Sequence, residues 1–228
     1  VGGSFRCIDF ALSNMSNSHV QTVAVLTQYN ARSLNEHLSS SKWWDFGRKQ
    51  GGMYLFTPTV TAENSDWYRG TADAMYQNID FLKRRHEPYV IISSGDCVYK
   101  MDYNKVLDYH IAKKADITVV CKDMPVDANI NRFGVVRMNE DSRIVEFEEK
   151  PIIAQSNTIS TGVYVIRRRQ LIEILEKSAE ENRFDFVADV LIRYKNIKRI
   201  YGYKMKEYWS NIASVDDYFR TNMDFLKQ

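Results

Sequence analysis

A chain of 228 residues, 44% hydrophobic and 26% charged, has the length and mix of one globular domain able to bury a sizeable core. Its formal net charge of +2 is too balanced to point to a nucleic-acid or polybasic-membrane partner, so an anionic ligand must be met locally. Cys7, Cys97 and Cys121 form no CxxC pair and are odd in number, which argues against a disulfide framework or zinc ribbon and fits a cytoplasmic protein.

No apolar run approaches the roughly 20 residues that span a bilayer. The start, VGGSFRCIDF, lacks the basic and apolar regions of a signal peptide, and with no initiator Met the chain reads as a fragment. Phe5, Ile8, Leu12 and Met15 are spaced to share one helix face, and Thr22 to Gln28 reads as a buried strand. Ser39 to Asp66, with Trp43, Trp44, Gly51 and Gly52, has few periodic signals and reads as an extended functional loop. A helix follows over Thr71 to Arg85, then a strand over Tyr89 to Ser94. Val106, Leu107, His110 and Ile111 form another helical stripe before a strand at Ile117 to Lys122.

After Pro125 the strands shorten: Gly134 to Met138, Arg143 to Glu149 and Gly162 to Ile166, in what reads as a substrate-facing half. Helices are expected at Arg169 to Ser178 and Asp185 to Tyr194, and a strand near Lys198 to Lys204. Ser214 and Asp217 have capping-box spacing ahead of a last helix carrying Val215, Tyr218, Phe219 and Met223. The alternation predicts an α/β domain with a largely parallel sheet.

Four places can carry chemistry. Asp96 follows the apolar strand, where open α/β sheets place their ligand crevice and where a carboxylate can hold a hard cation; it can equally be a turn residue. Lys150 ends a strand in FEEKP and can meet a phosphate as a point charge, although Glu148, Glu149 and Lys150 also fit a solvated face. Gly70 and Thr71 stand at a helix start in WYRGTADA, where free N–H groups can receive an anion or be routinely capped, with Trp67 and Tyr68 as ligand wall or core. Asp185 and Asp189, at i and i+4, can bind sugar hydroxyls or decorate a first turn.

Together the segments SFRCIDFALSN, LTQYNARSLNEHL, WYRGTADAMYQN, SGDCVYKMDY, FEEKP, STGVYVI and YWSNIASVDDYFRTNMDFL, in this order from Gly2 to Leu226, resemble ADP-glucose pyrophosphorylase (glucose-1-phosphate adenylyltransferase). The resemblance implies a Rossmann-like nucleotidyltransferase fold, with a mixed, mostly parallel sheet and helices on both faces. It implies a reaction in which glucose 1-phosphate attacks the α-phosphorus of ATP to give ADP-glucose and pyrophosphate in glycogen biosynthesis, with Mg²⁺ as cofactor. On this likeness Asp96 is the catalytic, metal-binding aspartate, and Glu149 and Lys150 hold the sugar and its phosphate. Ser160, Asp185 and Phe186 line the glucose site, Tyr68 and Trp209 close around it, and Gly70 and Thr71 lie along the adenine and ribose side.

The departures matter as much. The family's glycine-rich loop would precede Val1 and its carboxyl-terminal left-handed β-helix would follow Gln228, so residues 1–228 are expected to be a catalytic-type domain and an incomplete folding unit. SGDH reads SGDC, with Cys97 for His, and YWRD reads YWSN, so Asn211 stands where a second metal-binding aspartate is expected. That pattern resembles the GlgD-type partner subunit, which works beside a catalytic subunit in a hetero-oligomer, a tetramer. The readings are therefore a subunit with weak or absent catalysis, a regulatory module binding sugar phosphate, ATP or ADP-glucose, and an active pyrophosphorylase for another nucleotide sugar.

Overall fold

The computed structural model describes residues 1–40, 44–46, 51–59 and 67–227. In chain order the elements are α1 (Cys7–Asn17), β1 (Thr22–Leu26), α2 (Ala31–Ser40), β2 (Gly52–Phe56), α3 (Thr71–Gln77), α4 (Ile79–Lys83), β3 (Tyr89–Ser93) and β4 (Cys97–Tyr99). There follow α5 (Tyr103–Ala112), β5 (Ile117–Asp123), β6 (Gly134–Met138), β7 (Ile144–Glu149), β8 (Thr158–Arg167), α6 (Arg168–Glu180), a π-helix (Val187–Ile192), β9 (Ile200–Lys204), β10 (Trp209–Asn211) and α7 (Val215–Phe225).

The ten-residue strand β8 organises the sheet. It runs antiparallel to β5 on one side and to β3 and β6 on the other; β6 pairs with β7, and β9 runs parallel to β5. Alternate residues of β5 and β8 feed two cores. Ile117, Val119, Cys121, Tyr164 and Ile166 pack against Leu171, Ile174 and Leu175 of α6 and against Val190 and Leu191. Val120, Ile159, Val163 and Val165 pack against Val106 of α5 and Ala11 of α1. Burial on both faces explains why these strands read as nearly continuous apolar runs.

The α/β class, the mixed sheet and the two helical layers agree with expectation; the predominance of parallel pairs does not. Within the six-stranded sheet only β5–β9 is parallel among the described residues, with β1–β2 a separate parallel pair. Alternation along a chain says that helices and strands follow one another. It does not say which strands become neighbours.

Other differences have local causes. The expected loop Ser39 to Asp66 contains β2, whose short run GMYLF pairs residue for residue with β1, and Trp44 donates from Nε1 to Ser13 Oγ at 3.1 Å. Trp43 lies outside the described residues. The helix expected over Thr71 to Arg85 breaks at Asn78, whose Nδ2 donates to the Ala74 carbonyl at 2.8 Å and competes with the helical ladder. Phe5 is exposed, so the α1 stripe begins at Ile8, and Val215 and Phe219 of α7 lie in solvent. The Ser214–Asp217 capping box is present, each side chain accepting the other's backbone N–H at 3.1 Å. No described helix is long and apolar enough to cross a membrane.

Candidate functional site

β3 delivers the turn Ser94–Asp96, and Gly162 in the middle of β8 lets it approach. Gly162 has φ +78°, its carbonyl accepts the Ser94 N–H at 3.0 Å, and a Cβ there would lie 3.1 Å from Ser94 Cβ. Asp96 is exposed. The antiparallel β4–β10 pair sets Asn211 opposite Cys97 and so beside Asp96. Asn211 Nδ2 donates to Asp96 Oδ2 at 3.0 Å, Cys97 Sγ donates to Oδ1 at 3.3 Å, and Ser94 Oγ also donates to Oδ1. Burial pushes the Cys97 thiol well up, with the neighbouring Asp96 charge adding to it, so it stays protonated.

This donor set does not suit a resident divalent cation. Mg²⁺ takes oxygen ligands, whereas here one carboxylate is surrounded by an amide N–H, a hydroxyl and a protonated thiol. No cluster of three metal-ligating side chains occurs among the described residues.

A second group gathers across the sheet. Ser160 and Tyr164 stand four residues apart on one face of β8, hydroxyl to hydroxyl at 3.4 Å, and the Tyr164 ring lies 5.2 Å from that of Phe186. Burial pushes the Tyr164 phenol up to about 12, moderated by Ser160 and reinforced by the charges of Glu149 and Asp185. Glu149 is raised by burial too, with Lys150 opposing and Asp185 adding to the shift. Ser160 and Phe186 therefore touch Tyr164, with the charges of Glu149 and Asp185 near enough to act on it, and Tyr164 is a residue that sequence reasoning did not single out although its period-2 spacing from Ser160 was readable. Lys150 follows β7 with φ +48°, an uncommon conformation for a side-chain-bearing residue, fixed by its N–H bonding the Phe133 carbonyl at 3.1 Å. Its ammonium is exposed, 3.9 Å from Glu149 Oε1.

The start of α3 differs from a free anion cradle. The N–H groups of Ala72 and Asp73 both donate to the Phe184 carbonyl, at 2.9 and 3.2 Å, and Thr71 Oγ1 accepts the Phe186 N–H at 3.0 Å. A Cβ on Gly70 would collide with that same carbonyl oxygen. Gly70 and Thr71 thus lock the segment carrying Asp185 and Phe186, and of the two readings of this helix start the capped one is found, with Ala72 and Asp73 N–H taken by the Phe184 carbonyl. Asp189 likewise takes the first-turn option, accepting from Phe184 and Asp185 N–H at 3.1 and 3.0 Å, while Asp185 Oδ1 caps Ala188 at 2.7 Å.

Tyr68 is half-buried, its hydroxyl accepting from Asn78 Nδ2 at 3.1 Å and its N–H donating to Gln28 Oε1 at 2.6 Å. Trp209, expected to close over the sugar, is only 7% exposed and packs edge-on to Phe133 at 5.5 Å. Its ring belongs to the second core, with Nε1 buried and without a hydrogen-bond partner among the described residues, so Trp209 as placed is packed inside rather than forming an open wall.

The mixed α/β sheet with helices on both faces is that of a nucleotidyltransferase: the chain belongs to the nucleotidyl transferase family, whose model matches residues 1–228. It is similar to the glucose-1-phosphate adenylyltransferases of Lachnospira eligens, 42% identical over 99% of this chain and 53% of that protein, and of Thermosipho melanesiensis, 40% identical over 99% and 55%. The Bacillus cytotoxicus protein of the same name is 42% identical over 99% of this chain and 61% of its own length. The chain thus spans little more than half of these curated relatives. A crystal structure from Bacillus anthracis described as a glucose-1-phosphate thymidylyltransferase shares the fold, with TM-score 0.76 and 18% identity over 98% of this chain and 83% of that one.

Proposed function

We propose that this chain is the nucleotidyltransferase domain of a glucose-1-phosphate adenylyltransferase subunit in glycogen synthesis, one that binds glucose 1-phosphate and has little or no catalysis of its own. Its partner is a catalytic subunit of the same family in a hetero-oligomer. The observation that carries this reading is the Asn211 amide donating to Asp96 at 3.0 Å. In the reaction a phosphate oxygen of glucose 1-phosphate bonds to the α-phosphorus of ATP while the bond to the bridging oxygen breaks and pyrophosphate leaves. Such transfer depends on positioning and on neutralising phosphate charge.

Here the two demands separate. Lys150 offers an exposed ammonium beside Glu149, and Asp185 and Ser160 offer oxygens to sugar hydroxyls, so a sugar phosphate can be held and oriented. On the other side Asp96 is the sole carboxylate of that turn among the described residues, already satisfied by three donors, and phosphate charge is poorly balanced. The test is ADP-glucose synthesis from ATP and glucose 1-phosphate by the full-length protein, alone and mixed with a catalytic subunit. Stimulation only on mixing is expected; robust synthesis by the protein alone would overturn the reading.

A further inference from the structure

Four loops at the end of the sheet remote from Asp96 are cationic. Strands β3, β8, β5 and β9 are neighbours in that order, and the pairs Tyr89–Arg167, Ile117–Ile166 and Ile117–Ile200 set the starts of β3, β5 and β9 level with the end of β8. Arg84 and Arg85 precede β3, Lys113 and Lys114 precede β5, and Lys198 and Arg199 precede β9. Arg167, Arg168 and Arg169 end β8 and open α6. Against these nine cations the four loops hold two carboxylates, Glu87 and Asp116, and Asp141 of a nearby turn pairs with Lys113 at 2.7 Å. This end therefore carries a positive surplus well above the +2 of the whole chain, and the remainder is net acidic.

The arginines here have partners that position them without neutralising them. Arg168 donates from Nε to the Glu87 carbonyl at 3.0 Å, and Arg199 donates to the carbonyls of Lys114 and Lys113 at 3.2 and 3.1 Å. The guanidiniums of Arg85, Arg167 and Arg199 lie 5.1, 5.3 and 5.4 Å over the rings of Phe81, Tyr89 and Tyr201. Carbonyls and ring faces are neutral, so the cations are ordered in advance and keep their full charge. Neighbouring strands are about 4.8 Å apart, inside the Debye length of about 10 Å at 0.1 M salt, so adjacent loops act together on a ligand laid across them. Apolar contact is available too: Ile111, 50% exposed, lines a hollow with Lys114 and Arg167, and Ile197, 75% exposed, adjoins Lys198.

We propose that this sheet end docks an extended acidic segment of a partner protein, its Asp or Glu side chains meeting the four basic loops and its apolar side chains meeting Ile111 and Ile197. The four strands together span about 15 Å, so a small anion meets one or two of the loops, whereas an extended segment of about five residues crosses them all. A single-stranded nucleic acid needs open ring faces on which to stack its bases, and Phe81, Tyr89 and Tyr201 already carry guanidiniums. The assignment does not depend on the reading of the Asp96 site, which lies at the other end of β3.

A fluorescein-labelled peptide of repeated Glu-Glu-Leu, titrated into the full-length protein and read by anisotropy, tests it. Saturable binding is expected, weakening about tenfold between about 0.05 and 0.3 M salt, and the Gln-Gln-Leu counterpart should bind about tenfold or more weaker. Lys114→Glu with Arg167→Glu should cost about tenfold or more. Lys105→Glu with Lys206→Glu makes the same change of net charge at exposed positions near the opposite end of the sheet, and should stay within about twofold of wild type. No saturable binding, equal losses in the two double variants, or equal affinity for the Gln peptide would overturn the proposal. Tighter binding of an oligothymidylate or of phosphatidylserine vesicles than of the acidic peptide would overturn it as well, making the surface a nucleic-acid or lipid site.

Discussion

Asn211→Asp replaces an amide donor at 3.0 Å from Asp96 by a second carboxylate at the same reach. Two unit charges of like sign at that separation repel by about 1.4 kcal/mol even in the dielectric of water, and loss of the hydrogen bond to a charged acceptor adds about 1.5 kcal/mol. Without divalent cation the variant should therefore be less stable than wild type by about 1 to 3 kcal/mol, the spread reflecting relaxation of the exposed residue 96 and half-buried residue 211 side chains. Mg²⁺ placed between the carboxylates reverses the sign, so the deficit should vanish as Mg²⁺ rises, whereas wild-type stability should hardly respond. Thermal unfolding with chelator and across a Mg²⁺ titration measures this without requiring turnover. In parallel, pyrophosphate release with ATP and glucose 1-phosphate should rise in the full-length variant, because Lewis-acid charge stabilisation is worth several kcal/mol. Restoration is expected to be partial, since Cys97 still presents a protonated thiol to Asp96. Robust wild-type activity that the substitution leaves unchanged, or a variant whose unfolding ignores Mg²⁺, would refute the reasoning.

Lys150→Ala should weaken glucose 1-phosphate binding about tenfold or more by calorimetry, the cost of one charge-assisted contact; equal affinities would make Lys150 a solvated surface charge. Arg132 grips Asp217 through two bonds of 2.6 and 3.0 Å and, with Ser214 and the Ala213 N–H, lowers the Asp217 pKa to about 2. A depressed carboxylate pKa stabilises the fold above the unfolded value of 3.8, and that stability is lost as pH falls toward 2. Because Arg132 is 39% exposed, we expect Arg132→Ala to cost about 1 to 2 kcal/mol at pH 7 and to flatten the acid dependence of the unfolding midpoint between about pH 4 and 2. Gly70→Ala sets a Cβ against the Phe184 carbonyl and should destabilise by about 1 to 3 kcal/mol while weakening sugar-phosphate binding, as denaturant melts and calorimetry on the same sample would read; a neutral effect on both would mean that the 184–186 segment tolerates displacement.

Legibility in the sequence follows from range. The apolar runs at Thr22, Tyr89 and Ile117 and the Ser214–Asp217 cap are local signals, and they give the right elements. β4 and β10 are three residues each and carry no period, so only their mutual pairing reveals them, yet that pairing is what brings Asn211 to Asp96. The α3 start shows the opposite failure: Gly70 and Thr71 read as a free or a capped helix terminus alike, because Phe184, more than a hundred residues later, cannot be seen to supply the carbonyl. Tyr164 is hidden for a third reason, since a tyrosine in a buried strand is more often core than site until the charges of Glu149 and Asp185 are known to act on it.

The distribution of these long-range contacts bears on what the domain can still do. On the sugar side the geometry is over-determined. Thr71 holds Phe186, Phe184 is held by α3 and by Asp189, and Lys150 is kept in a left-handed conformation by Phe133, so the cost of ordering this region is met by the fold rather than by a ligand. On the phosphate side, Asp96 sits on an exposed turn held by side-chain bonds to Ser94, Cys97 and Asn211, and any cation must displace the Asn211 donor before it gains a second oxygen. Under the proposed function, a domain preorganised for the sugar and depleted in charge at the phosphates would stabilise a bound ground state without stabilising the transition state to the same degree. Uniform binding of that kind lowers the dissociation constant and leaves the barrier high, which is why the proposed subunit is expected to bind glucose 1-phosphate without turning it over unless the second carboxylate is restored.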